Sequence, residues 1–342
     1  MNKIFNQGKI SSSVLWLIIF ILGILAGRSL GIIFEKSALS QNEVNSDNVH
    51  PVRQSGYKFI NPLLECEIEM SDKTNLFSFK NHILDFIEEK VDKKEIVSVS
   101  VYLRDLNNGP WSGINEKENF YPASLLKVPI LMAYFKEAEK NPQLLEEKIV
   151  FNEHTEGDDL IQNFNPAEKV VFGQSYSVSD LLRRMIVFSD NKALDLLFLK
   201  IDSAALDRCY QDLGLSLPNI RTADDFMSVK EYASFFRILY NASYLSRDYS
   251  EKALEILSAS DFKDGIVAGV DKDVKVAHKF GERKILIGGQ EFNQLHDCGI
   301  VYNQASPYLL CIMTRGSNFE KMVEAIKNIS RIVFEDMKNK QN

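Results

Sequence analysis

A serine and a lysine three residues apart, Ser124 and Lys127, form a pair that could carry out nucleophilic catalysis. On a helix, side chains at this spacing project from the same face within contact distance. A serine hydroxyl becomes a nucleophile when a neighbouring base accepts its proton, and a neutral lysine amine is such a base. Ser124 also follows a Tyr-Pro-Ala sequence at a predicted helix start, where backbone N–H groups can stabilise an oxyanion. The pair therefore predicts a serine that is acylated.

The spacing alone is not specific, because Ser189 and Ser260 are also followed by a lysine three residues later. Two further short motifs single out Ser124. The sequence Ser-Asp-Asn at 189–191 lies between two helical patterns, and Lys-Phe-Gly at 279–281 closes a strand-like run. These three segments are the candidate catalytic motifs of the chain.

Motifs of the types SxxK, SDN and KTG occur together in penicillin-binding proteins and class A β-lactamases. From about Leu76 to Met337, the chain resembles the class A β-lactamase-like, penicillin-binding family of active-site serine hydrolases in the order and rough spacing of all three. The resemblance implies an α/β (α+β) fold of the β-lactamase/transpeptidase type. In this fold an antiparallel sheet is flanked by N- and C-terminal helices, and an all-helical lobe is inserted.

The resemblance also assigns catalytic roles to four residues. Ser124 Oγ would attack an amide or lactam carbonyl, and Lys127, if neutral, would accept its proton. Burial and a second cation, Lys279, are the kind of environment that lowers the pKa of Lys127. Ser189 would pass a proton to the leaving nitrogen. The implied reaction is acyl transfer through an acyl-enzyme.

The substrate-binding residues implied by the resemblance are Asn191, Gly281 and Glu282. Asn191 would hold a side-chain amide of the substrate. Gly281, in the third motif, and Glu282, directly after it, would lie beside the substrate, and the backbone N–H groups of Glu282 and Ser124 would form the oxyanion hole. Losing one such donor typically costs about 3 kcal/mol of transition-state stabilisation.

Two positions depart from the family pattern. Phe280 stands where the third motif has threonine, so the hydroxyl that helps to bind a substrate carboxylate is absent. Between Asn191 and Lys279 there is no Glu-x-x-Leu-Asn sequence to supply a deacylating glutamate. Asp224 and Asp225 lie in this stretch, but their place before Met-Ser at 227–228 is typical of a helix entrance. We therefore expect acylation followed by slow deacylation.

Three functions fit this pattern. The first is a serine hydrolase that opens β-lactams or related amides. The second is a D-alanyl-D-alanine peptidase or transpeptidase acting on peptidoglycan stem peptides. The third is a non-catalytic wall-binding domain that retains the fold. We expect a small-molecule β-lactam or stem-peptide substrate and a monomer.

Periodicity locates the elements that must position these motifs. Helical spacing is present over 76–91, 123–140 and 319–337, and most of the region between 140 and 257 is helical as well. Alternation over 96–106 predicts a half-buried strand, and 274–278, 298–302 and 309–313 also read as strands. The order favours an antiparallel sheet that shares one face with a helical lobe.

The N-terminal segment predicts a single membrane span. No charged residue occurs from Ser11 to Gly27, a stretch at the lower limit for crossing the hydrocarbon core. Lys3 and Lys9 precede it, so the positive-inside tendency predicts a cell-membrane protein whose catalytic domain is extracytoplasmic. A cleaved signal peptide is the alternative. We divide the chain into an anchor (1–36), a polar tether with its lead-in (37–73) and a hydrolase domain (74–342).

Composition excludes several other classes. The 342 residues are 45% hydrophobic and 25% charged, which is typical of globular proteins rather than of disordered or collagen-like ones. A formal net charge of −7 argues against a nucleic-acid surface. The five histidines form no HxxxH or HExxH pair, so we predict neither a metal nor another cofactor.

The four cysteines are too few and too scattered for a disulfide scaffold, and none is part of a CxxC pair. We expect them to be small buried hydrophobic side chains. Cys298 and Cys311 allow an alternative, because they flank a turn-like sequence at 303–307 and could form a disulfide across a hairpin.

Overall fold

The computed structural model describes residues 49–54, 56–68, 78–92, 96–107, 111–152, 163–215, 225–287, 290–304 and 306–339. The predicted membrane span, the first part of the tether and Asp224 lie outside these ranges. Within them, no helix is both long and apolar enough to cross a bilayer. Apart from Val49, every element below belongs to one compact unit, His50–Ile68 with Lys73–Asn342.

Strands account for the following segments: β1 (Val49–Arg53), β2 (Leu63–Ile68), β3 (Ser98–Asp105), β4 (Trp111–Ile114), β5 (Asn119–Phe120), β6 (Lys148–Val150), β7 (Ser175–Ser177), β8 (Met227–Ser228), β9 (Lys275–Ile287), β10 (Gln290–Tyr302) and β11 (Tyr308–Gly316). The α-helices are α1 (Ser78–Asp92), α2 (Lys127–Ala138), α3 (Val178–Val187), α4 (Asn191–Phe198), α5 (Ser203–Asp212), α6 (Val229–Asn241), α7 (Arg247–Ser258), α8 (Ile266–Gly269) and α9 (Phe319–Asn339). Two 3-10 helices span Ala123–Leu126 and Pro142–Glu146.

Five strands form the central antiparallel sheet in the order β4-β3-β11-β10-β9. The fold class is therefore confirmed: an α+β protein whose sheet is flanked by α1 and α9. Helices α2 to α7 form the lobe inserted between β4 and β9, which also contains the short strand pairs β5-β8 and β6-β7. Strand β9 lies at one edge of the sheet and carries the third motif.

Both faces of the sheet are buried. The core shared with the helical lobe includes Leu131, Phe135, Leu182, Phe236 and Leu309. The core under α1, α8 and α9 includes Ile83, Val101, Ile312, Ile326 and Val333. Strand β3 is consequently buried on both faces from Val99 to Leu103, although its alternating sequence predicts a half-buried strand. Its polar Ser100 is accommodated because the hydroxyl donates to Asn115 O at 2.8 Å.

The lead-in segment packs on the hydrolase domain before the predicted boundary at residue 74. Phe59 and Ile60 are buried in the core. The carboxylate of Glu251, on α7, accepts hydrogen bonds from the backbone N–H groups of Lys58, Phe59 and Ile60. These contacts attach residues 58–60 to the helical lobe.

The cysteines of the sheet correct one expectation. Cys298 and Cys311 are directly opposite in the β10–β11 register, and a disulfide joins them. Treating both as simple hydrophobic side chains is wrong, and the alternative across a hairpin is right, because the turn between β10 and β11 aligns the two residues. Cys209 is buried and free, as expected for a small hydrophobic side chain.

Candidate active site

The turn that carries Ser124 is a 3-10 helix placed directly before α2. A single helix was expected from residue 123, but Ala123 has a positive φ of 52°, and regular α-helix begins only at Lys127. Leu125 fixes the turn, since its N–H donates to Pro122 O at 3.0 Å and its carbonyl accepts from the Tyr232 hydroxyl at 2.9 Å. Ser124 is half-buried, whereas Lys127 points into the protein with 1% exposure.

The Lys127 ammonium group is surrounded by acceptors from the second motif. Its Nζ donates to Ser189 O at 2.6 Å, to Ser189 Oγ at 3.1 Å and to Asn191 Oδ1 at 2.7 Å. Three donors and three acceptors satisfy the group without water. The first two motifs, 62 residues apart, therefore meet at Lys127.

The second motif is held in place by its aspartate. Asp190 caps α4 by accepting from Lys192 N at 2.9 Å and Ala193 N at 3.3 Å, and its other oxygen accepts from Val170 N at 2.8 Å. Ser189, directly before it, has a positive φ of 56°, which a non-glycine residue adopts only when its surroundings impose it. The cap thus fixes the direction of the Ser189 and Asn191 side chains.

Lys279, from the third motif, reaches the same hydroxyl from the other side. Its Nζ donates to Ser189 Oγ at 3.0 Å and to Phe280 O at 2.9 Å. The two lysine amines therefore share Ser189 Oγ. Lys279 is fully buried, and Nζ also lies 4.1 Å from the centre of the Phe280 ring. A hydroxyl between two amines can exchange protons with either of them.

Burial changes the protonation of both lysines. It lowers the pKa of Lys127 from 10.5 to about 7, although the negative charges of Asp190 and Asp195 act in the opposite direction. Burial, together with the charge of Lys127, holds the pKa of Lys279 well below its usual range. Burial is thus what disfavours the charged form of Lys127, whereas Lys279 is affected by burial and by repulsion from the Lys127 charge. A neutral lysine amine is thus accessible near pH 7.

Gly281 lets β9 approach the nucleophile turn. A Cβ atom at this position would lie 2.6 Å from Pro122 O and 3.0 Å from Leu125 N. Any side chain here would push the strand away from the turn. Gly281 is therefore required for the close contact between the third motif and the residues around Ser124.

Glu282 forms a contact that its sequence position did not reveal. Its Oε2 accepts from the Asn163 N and Nδ2 atoms and its Oε1 accepts from Phe164 N, all at 3.0 Å. The carboxylate is thus bound to the loop that leads to β7. The partners are 118 and 119 residues apart, and no local pattern signals such a pair.

Phe280 faces an aromatic cluster. Its ring is 1% exposed, stacks on Phe262 at 4.3 Å between centroids and meets the edge of Phe164 at 4.9 Å. The residue that replaces the family threonine is thus part of the packed interior and fixes the Asn163–Phe164 loop segment beside β9.

Asp225 has the structural environment expected of it. One carboxylate oxygen accepts from Arg315 at 2.6 Å and the other from Gln294 Nε2 at 2.9 Å. Helix α6 follows after Ser228, whose side chain forms a reciprocal capping box with Glu231. Asp225 is therefore engaged in an ion pair next to a helix entrance.

The family model described as the beta-lactamase enzyme family matches residues 80–337, which include all three motifs. The chain belongs to this family. No curated protein sequence matches it. The beta-lactamase family assignment therefore relies on the family model, while the solved structures below agree with the fold.

Several solved structures share the beta-lactamase fold at low sequence identity. A mutant of PBP-A, solved as an acyl-enzyme complex with penicillin G, is 20% identical with a TM-score of 0.63, covering 79% of this chain and 100% of its own. A beta-lactamase from Xanthomonas campestris is 20% identical with a TM-score of 0.62, covering 76% and 99%. An ancestral class A beta-lactamase is 19% identical with a TM-score of 0.61, covering 74% and 99%.

Proposed function

We propose that this beta-lactamase family member is a serine hydrolase that is acylated on Ser124. The observation that carries the proposal is the pair of buried lysine amines that share Ser189 Oγ directly behind the Ser124 turn. A structural lysine pair would be costly here, because each buried charge needs a compensating partner. A pair with lowered pKa values is instead suited to accepting and returning protons.

In the proposed reaction, Ser124 Oγ attacks the carbonyl carbon while the neutral Nζ of Lys127 takes the hydroxyl proton. The carbonyl oxygen becomes an oxyanion, which the backbone N–H groups of Ser124 and Glu282 stabilise. When the C–N bond breaks, Ser189 gives its proton to the leaving nitrogen. Lys127 then returns a proton to Ser189 along their 3.1 Å hydrogen bond. An ester on Ser124 and a neutral Lys127 remain.

The proposed substrates are β-lactams or related amides, with Asn191 and Gly281 beside them. The acyl-enzyme complex of the similar PBP-A mutant with penicillin G supports penicillins as a first probe. Slow deacylation is expected, since the chain contains no Glu-x-x-Leu-Asn sequence between the second and third motifs and Asp225 is bound to Arg315. The acyl-enzyme should therefore accumulate.

We also propose a single-pass membrane protein with an extracytoplasmic, monomeric hydrolase domain. The charge-free stretch at 11–27 and the lysines before it support this location. The disulfide between Cys298 and Cys311 supports it independently, because disulfides persist mainly in oxidising compartments outside the cytosol.

The test is labelling of the full-length chain in detergent with a fluorescent penicillin, followed by intact-protein mass spectrometry over time. We expect one covalent adduct with a lifetime much longer than its formation time, and its loss in Ser124→Ala. Ser260→Ala is the matched control, since Ser260 has the same spacing to a lysine but lies in the turn after α7. An unlabelled wild type, or a label retained in Ser124→Ala, would contradict the proposal.

The slow deacylation also fits a D-alanyl-D-alanine peptidase or transpeptidase, whose acyl-enzyme is passed to water or to an amine. The same variants decide between the substrates when a stem peptide is offered. Release of D-alanine that depends on Ser124, without β-lactam turnover, would select this second function. A wall-binding domain without catalysis predicts that Ser124→Ala retains full function.

A further inference from the structure

Both backbone polar groups of Tyr121 are held by side chains of the neighbouring strand β10. Its N–H donates to Gln294 Oε1 at 3.0 Å, and its carbonyl accepts from His296 Nε2 at 3.0 Å. Tyr121 lies three residues before Ser124, at the entrance of the 3-10 turn. None of the three motifs contains Gln294 or His296, and the reaction above does not use either of them.

The ring of His296 is oriented for this contact. Thr314 N–H donates to Nδ1 at 3.3 Å, so Nδ1 is the acceptor and Nε2 carries the hydrogen that Tyr121 O receives. Burial lowers the pKa of His296 to about 4, which keeps the ring neutral at pH 7. The His296 ring also packs against the Phe120 ring in an edge-to-face arrangement, with 5.5 Å between the ring centroids.

Gln294 is oriented by a second polar chain. Its Nε2 donates to Asp225, which in turn accepts from Arg315, so the amide oxygen is left facing Tyr121 N. In the β9–β10 register, His296 is opposite Gly281, the residue with no space for a side chain beside Pro122. Strands β9 and β10 thus both contact the segment before Ser124, at positions that lie opposite each other in the β9–β10 register.

These contacts to Tyr121 matter because the backbone of the turn that follows is strained. Ala123 has a positive φ without being glycine, and such a conformation persists only where its surroundings over-determine it. Misplacing a reacting atom by about 1 Å can cost on the order of 100-fold in rate. We infer that His296 and Gln294 are positioning residues, which fix Tyr121 and thereby hold Ser124 Oγ in the attacking position.

The inference rests on the proposed acylation of Ser124, so the test separates the two. Stopped-flow labelling of the full-length chain with a fluorescent penicillin resolves binding from the acylation step. For His296→Phe, which keeps an aromatic ring but donates no hydrogen bond, we expect acylation to slow by about 10- to 100-fold with binding changed less than about twofold. His296→Gln, which can place a donor near Nε2, should recover most of the rate.

Ser330→Ala is the matched control, since it removes another buried hydrogen bond, from Ser330 Oγ to Ile266 O, far along the chain from the site. It should lose stability without slowing acylation. In the wild type, a two-bond ¹H–¹⁵N spectrum should show His296 as the Nε2–H tautomer.

The outcomes are distinct. An unlabelled wild type overturns the proposed function. A labelled wild type with equal acylation rates in His296→Phe overturns only the positioning role, as does an Nδ1–H tautomer even when the variant fails to fold. A rate loss that His296→Gln does not recover, matched by an equal loss in Ser330→Ala, would show a general effect of stability and also overturn it.

Discussion

Two adjacent parts of the site are built differently, although Lys279 of one part and Phe280 of the other are consecutive residues on β9. The lysine centre consists of Lys127, Ser189 and Lys279, and the two lysine Nζ atoms donate to Ser189 Oγ at 3.1 and 3.0 Å. The β9 edge consists of Phe280 and Glu282 with the Asn163–Phe164 loop segment. Its contacts are the packing of the Phe280 ring on two other aromatic rings and the three hydrogen bonds that Glu282 accepts from the Asn163–Phe164 segment.

From this difference we infer that proton transfer and substrate recognition can change independently on the same strand. Together with Ser124, the lysine centre holds the nucleophile, the base and the proton donor of the proposed acyl transfer. In the β9 edge, the buried ring of Phe280 stands where the family has a hydroxyl. The Glu282 carboxylate binds the Asn163–Phe164 loop segment. We therefore expect this member of the beta-lactamase family to combine the proposed proton-transfer centre with an altered recognition edge.

The largest effect expected is at the lysine centre. Lys127→Ala removes the proposed base of Ser124, and losing one member of such a catalytic unit can cost on the order of 10⁴-fold or more in rate. The measurement is the second-order rate constant of acylation by a fluorescent penicillin. Lys192→Ala is the control, because Lys192 is the lysine at the same spacing from Ser189. Comparable rates in both variants would mean that Lys127 is not the base and that the lysine centre does not carry out the proton transfer.

The next effect concerns the ring at the β9 edge. Phe280→Thr removes a fully buried ring, so we expect a loss of about 3 kcal/mol in unfolding free energy, measured by chemical denaturation. The new hydroxyl should tighten non-covalent penicillin binding by about tenfold, as one hydrogen bond to a charged group can.

Phe262→Thr disrupts the same stack without altering the third motif, and it serves as the control for Phe280→Thr. It should show a similar loss of stability and no gain in penicillin affinity. Equal affinities in the two variants would mean that recognition does not depend on the residue at position 280.

The contrast between the regions also explains what the sequence could predict. Ser124, Lys127, Ser189 and Lys279 are recognisable because short motifs preserve their local spacing, and the structure brings the two lysine amines together at the Ser189 hydroxyl. The antiparallel sheet is predictable because strand alternation and helical spacing are local patterns. Features encoded within a few residues were therefore accessible from the sequence.

Features that depend on contacts between residues far apart in the chain could not be predicted from the sequence. The bonds of Glu282 to Asn163 and of His296 to Tyr121 join residues more than 100 positions apart. The disulfide was only the less favoured alternative, because the β10–β11 register, which places its cysteines opposite each other, is not visible in the sequence. The helix start at Ala123 was also missed, since its positive φ is imposed by tertiary contacts rather than by local propensity.

The pH dependence of acylation should follow Lys127. With its pKa lowered to about 7, the rate should rise about tenfold per pH unit below that value and level off above it. The unfolded chain keeps this proton up to the ordinary pKa of 10.5, so it binds more protons than the folded chain between pH 7 and 10.5. Stability should therefore rise with pH in this window relative to Lys127→Met. A flat acylation profile from pH 5 to 9 would exclude Lys127 as the base.

The smallest effect expected links the two regions. The negative charge of Glu282 raises the pKa of Lys127, so Glu282→Gln should move the acylation midpoint below about 7. The same change weakens the charge-assisted bonds to the loop, and hydrogen exchange at the Phe164 amide should become about tenfold faster. Glu320→Gln, an equal charge change on α9, should alter neither value. A faster Phe164 exchange with an unchanged acylation midpoint would show that the β9 edge is electrostatically separate from the lysine centre. A faster exchange together with a lower midpoint would show that the Glu282 carboxylate affects both the loop contact and the pKa of Lys127.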